Sequence, residues 1–86
     1  MFIHLYAIRD LRNDALEFVF EEFSDYSATR RVKVMLDSQN PALIMYAKYP
    51  DDYALFKIGD LDRQTGNIVS DYRHVADFNS LVEGKE

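Results

Sequence analysis

Apolar side chains fill both sides of the segment from Phe2 to Ile8: Ile3, Leu5 and Ala7 on one side of an extended chain, and Phe2, His4, Tyr6 and Ile8 on the other. This pattern predicts a strand covered on both faces or nearly so, stopping at the charged pair Arg9-Asp10. Leu16–Phe23 fits two periods, since Leu16, Phe18 and Phe20 alternate while Leu16, Val19, Phe20 and Phe23 also make a helical stripe. Three Phe and a Val tip the balance toward extended structure. Ser24, Asp25, Tyr26 and Ser27 are all candidate N-caps, and Ala28, Val32, Met35 and Leu36 then recur at helical spacing with Arg30, Arg31, Lys33 and Asp37 outward. A main helix over about 26–39 is predicted, ending near Asn40 because Pro41 disfavours helical geometry in the residue before it.

Proline suits a first helical position, so Pro41 can open a second short apolar helix through about Ala47, and Pro50-Asp51-Asp52 then resets the chain. Tyr53–Ile58 has period-two character, with Ala54, Phe56 and Ile58 on one face. Asp62–Gly66 follows as a hairpin loop with Gly66 left-handed, and Asn67–Val69 as the return strand. From Asp71 to Val82 the pattern is weak, with Val75, Phe78, Leu81 and Val82 spaced for a short helix or an irregular cover. The fold class expected is α+β: a small antiparallel sheet of three to four strands with the 26–39 helix packed on one face. Residues 1–82 would form a single domain and 83–86 a frayed tail.

With 86 residues there is no room for a second core. The absence of Cys removes disulfides, thiolate metal sites and cysteine nucleophiles. Runs without a charge or a prolyl break, such as Pro41–Ala47, are far short of the roughly 20 residues a membrane helix needs, so no membrane association is expected. The formal charge of −5 argues against bulk attraction to phosphate backbones, but it is unevenly spread. Two bases face six acids in residues 1–26, four face only Asp37 in 27–49, and four face eight in 50–86.

That central basic segment holds the strongest candidate chemistry. Single strands are gripped by a basic groove with aromatic faces for the bases, and Tyr26, Arg30, Arg31, Lys33, Tyr46 and Lys48 supply both types of side chain. The ordinary reading is the wet face of an amphipathic helix, with tyrosines closing the core. Asp60, Asp62, Gln64 and Asp71 fall near calcium-loop spacing, but the glycine sits seventh rather than sixth and the last ligand is not Glu, so a hairpin turn is the better account. Near Lys57, position 55 is Leu, which breaks the carboxylate-x-lysine arrangement of metal-dependent nucleases. His4 lies in an apolar strand and His74 in the weakly patterned tail, three residues from Asp77, a poor basis for either a general base or a metal pair. No enzyme activity, metal or cofactor is expected.

Three blocks carry a resemblance: Leu5-Tyr-Ala-Ile-Arg-Asp-Leu11, then Pro50–Asp62 with Thr65-Gly66 and Ile68-Val69, then Ser80-Leu-Val82. In this order the chain resembles the small nonstructural protein of gokushoviruses, the tailless single-stranded DNA phages of the Microviridae. It departs from the family in lacking a proline within 16–23 and in the apolar run Leu43-Ile44-Met45, which suggests an oligomer contact. The resemblance implies a phage protein made in the host bacterial cytoplasm and absent from the finished capsid. It also links the chain, by analogy, to the switch from genome replication to packaging of single-stranded DNA. The expected role is therefore non-enzymatic, in single-stranded DNA genome replication or packaging, through phage replication or procapsid proteins and through contact of the basic segment with the single strand. The resemblance supplies no catalytic residues. The rival reading is a small acidic module that binds and modulates a bacterial protein, with Asp10, Asp14, Glu17, Glu21, Glu22 and Asp25 doing the binding.

Overall fold

The computed structural model describes residues 1–82, so the tail expected at 83–86 lies outside the described residues. Strand β1 (Phe2–Asp10) is joined by a short turn to β2 (Ala15–Glu22); helix α1 (Asp25–Leu36) follows. A 3-10 turn (Pro41–Leu43) runs into helix α2 (Ile44–Lys48), and another (Pro50–Asp52) leads to the long hairpin of β3 (Tyr53–Asp62) and β4 (Ile68–Asp77). A last 3-10 turn occupies Phe78–Ser80. All strands pair antiparallel in the order β2-β1-β3-β4. Two α-helices therefore accompany a four-stranded sheet. No helix among the described residues is long and apolar enough to cross a membrane.

As a central strand, β1 explains its own apolar pattern: Tyr6 and Ile8 are fully buried on one face and Ala7 on the other. Residues paired across a ladder share a face, so Ile8 with Leu55, Tyr6 with Lys57 and Tyr6 with Phe20 define the side toward α1. There Ala28, Val32, Met35 and Leu36 of α1 pack with Tyr6, Ile8, Phe20, Leu55 and Phe78 into one core. Ala54 and Phe56 pair with Arg9 and Ala7 and point the opposite way. The alternation predicted for β3 breaks after Lys57, where a bulge at Ile58 lets Gly59 pair with Leu5.

Two expectations are corrected. The main helix stops at Leu36, not near 39: the Asp37 N–H bonds the Lys33 carbonyl and the Ser38 N–H bonds that of Met35, because no apolar residue beyond Leu36 anchors another turn. The return strand continues from Ile68 to Asp77, through residues expected to be helical or irregular. As an edge strand exposed along most of its length, β4 needs no apolar alternation. The preference for extended structure at 16–23 holds through Glu22, the last residue of β2, which has an extra residue opposite β1 with Phe18 held at φ 51 within the bulge.

Candidate nucleic-acid interface

Helix α1 begins at a reciprocal cap: the Ser27 N–H donates to Ser24 Oγ and the Ser24 N–H to Ser27 Oγ, each at 3.1 Å. With the start fixed and Ala28, Val32, Met35 and Leu36 turned to the core, helical spacing puts Tyr26, Arg30 and Lys33 together on the outward stripe. Tyr26 is 73% exposed, and Arg30 and Lys33 are exposed with no ion-pair partner among the described residues.

Arg31 turns aside toward β2. Its Nη1 donates to the Glu22 carboxylate at 3.2 Å and to the Glu21 carbonyl at 3.3 Å, and its guanidinium sits 5.0 Å from the centre of the Phe20 ring. It borders a shallow depression of about 260 Å³ shared with Tyr26, Arg30 and Val34. Tyr46 is not part of this surface: its hydroxyl donates to Glu17 and its ring packs edge-on against Tyr53 and Phe78, with centroids 4.7 and 5.7 Å away. Burial first, then that hydrogen bond, pushes its phenol well above the usual range. Lys48 lies on α2 with its Nζ 5.6 Å from the centre of the Tyr49 ring. The groove that Tyr49 lines contains no α1 residue. The structure thus gathers Tyr26, Arg30, Lys33 and the rim residue Arg31 on α1, packs Tyr46 against the core, and holds Lys48 on the separate helix α2.

Beneath the start of α1 lies a chain of charges that sequence reading had dispersed among other motifs. Lys57, its side chain only 7% exposed, donates to Asp71 at 2.8 Å and lies 3.1 Å from Asp60, which also meets His4 Nδ1. Asp25 takes two bonds from Arg73, at 2.7 and 3.2 Å, and one from the Tyr6 hydroxyl at 2.8 Å. The Arg73 bond holds the Asp25 carboxyl below its ordinary range, and His4 does the same for Asp60. The bond to Asp71 raises Lys57, while burial and then Asp25 push Tyr6 upward. Asp60 and Asp71, at calcium-loop spacing in the sequence, thus converge on an ammonium instead. Asp62 closes the hairpin loop by accepting from the Gln64 N–H. His74 bonds Asp77 at 2.8 Å, but from a strand rather than from a shared helical face.

One residue that sequence reading assigned to the strand stands apart. Phe23 follows β2, directly before the cap Ser24, and is 80% exposed. Its position as the apolar residue before four candidate N-caps was the available signal.

Compared with known proteins, residues 3–81 match the model of a family described as Phage ORF5 protein. No curated protein and no solved structure matches the chain.

Proposed function

Since the chain belongs to the Phage ORF5 protein family, and so is a bacteriophage protein, we propose that it is a non-enzymatic accessory factor of a gokushovirus in the Microviridae. It acts in the host cytoplasm in single-stranded DNA genome replication or packaging, and it contacts the single strand directly through the Tyr26–Arg30–Lys33 stripe. The observation that carries this reading is that stripe: two cations without carboxylate partners among the described residues, next to an exposed aromatic ring, in a chain whose overall charge is negative.

The acidic host-binding reading has less support. Of its six carboxylates, Asp10 closes its own loop onto the Arg12 and Asn13 N–H groups, Asp14 meets Arg9 and Glu17 accepts from Tyr46. Glu22 meets Arg31, and Asp25 holds Arg73 and Tyr6. Glu21 alone of the six has no side-chain partner among the described residues.

The test is genetic. Phage carrying Arg30→Glu with Lys33→Glu should accumulate double-stranded replicative DNA in infected cells while yielding few packaged single-stranded genomes. Normal yields of both forms would overturn the reading.

A further inference from the structure

Tyr26 also lines a second hollow besides the depression beside Arg31, a groove of about 380 Å³ at the start of α1. Phe23 and Tyr26 form its lips, and His4, Asp25, Lys57 and Arg73 lie along its floor. Its volume falls within the range of about 300–1,000 Å³ typical of small-ligand sites. An apolar residue just before an N-cap ordinarily staples onto the fourth helical residue. Here that residue is Ala28, fully buried, while Phe23 stands 80% exposed. Packing therefore does not account for where Phe23 sits.

The charges of the floor decide what kind of group fits. Lys57 and Arg73 are met directly by Asp25, Asp60 and Asp71, so there is no cationic excess to attract a phosphate. What remains is the residual hydrogen-bonding capacity of paired groups: the Arg73 guanidinium keeps N–H groups beyond the two given to Asp25, the Asp25 carboxylate keeps acceptor capacity beyond its bonds from Arg73 and Tyr6, and His4 keeps its Nε2 after Nδ1 has met Asp60. A flat ring with a polar edge satisfies both the aromatic lips and this floor. Because Tyr26 lines both hollows, a strand running along α1 reaches the groove without leaving the surface.

We propose that this groove takes up one nucleobase of single-stranded DNA, stacked on Phe23 and Tyr26 with its edge toward His4, Asp25 and Arg73, while the phosphates follow Arg30 and Lys33. The assignment rests on single-stranded DNA being the ligand. Fluorescence anisotropy with labelled oligothymidylate, and with an abasic strand of the same length, separates the two ideas. Phe23→Ser should bind oligothymidylate about tenfold more weakly, as expected for one lost stacking contact, and bind the abasic strand as the native protein does. Phe23→Tyr should restore affinity, and Arg30→Glu should weaken binding to both strands. Undiminished binding by Phe23→Ser, or equal loss on both strands, overturns the groove assignment alone. Failure of the native protein to bind either strand overturns it together with the reading it rests on.

Discussion

Lys57 is the clearest case of a residue whose role follows from its neighbours. Its stem lies on the covered face of the sheet and its ammonium ends between Asp60 and Asp71. Replacing it with Met keeps the stem and leaves the two carboxylates facing each other. Because both are partly solvated, the expected loss is about 1–3 kcal/mol rather than the larger cost of a wholly buried orphan, measurable as a lower urea midpoint; an unchanged midpoint would mean that water replaces the ammonium at no cost. The same network sets the pH range of stability. Asp25 and Asp60 ionise more readily in the folded chain than at their ordinary value of 3.8, so the unfolded chain takes up protons first. Their contribution is complete above 3.8 and is lost as pH falls through the depressed folded values. Tyr6 and Tyr46 behave oppositely. Raised above 10.0, they contribute fully below that value and lose the contribution as pH rises through their folded values. Urea midpoints across pH should therefore show a plateau that falls off on both sides. Asp25→Asn should flatten the acid side and Tyr6→Phe the alkaline side, and limbs unchanged in these variants would show that other groups set them.

At the scale of elements, what was legible in the sequence were the segments whose period matched their burial. β1, buried on both faces, showed apolar residues on both sides; α1 showed Ala28, Val32, Met35 and Leu36 at helical spacing; the Asp62–Gly66 loop showed its glycine, now at φ 82. What was not legible depended on pairing. β4 owes its length to a ladder with β3 that runs, through two register shifts, from Ala54 paired with Asp77 to Leu61 paired with Ile68, a long-range fact that local pattern does not carry, and the bulge at Ile58 reverses the faces read from strict alternation. The candidate interface divides in the same way. Tyr26, Arg30 and Lys33 follow from helical geometry, whereas the docking of Arg31 on β2 and of Tyr46 in the core required the tertiary fold. Gly59 tests the ladder itself. A Cβ there would come within 2.7 Å of the Val69 carbonyl oxygen, so the hairpin backbone must shift to admit it. Gly59→Ala should cost about 1–3 kcal/mol in a urea titration, the usual penalty for overpacking, while a change near zero would mean that β3 and β4 separate freely at this point.

Across the whole molecule, the sheet has one face packed under α1 and the 3-10 turns, while Leu16, Val19, Ile68 and Tyr72 remain exposed elsewhere on its strands. The apolar run Leu43-Ile44-Met45 divides: Leu43 packs against the core, whereas Ile44 and Met45 are about half exposed. Ile44→Asp should therefore melt within a few degrees of the native protein, and a collapse of the melt would mean that Ile44 is buried after all. Charge is divided as well. Most acids near the N-terminal strands are engaged within the fold, leaving the α1 stripe as a locally positive track on a negative molecule. That track is the proposed contact for a single strand of DNA. Its most direct test is titration of a labelled single-stranded oligonucleotide and its duplex at two salt concentrations, with the native protein and with Arg30→Glu combined with Lys33→Glu. Preference for the single strand, weakening steeply with salt in the native protein and largely lost in the double variant, is the predicted result. No binding at low salt, or equal binding by the double variant, would contradict it.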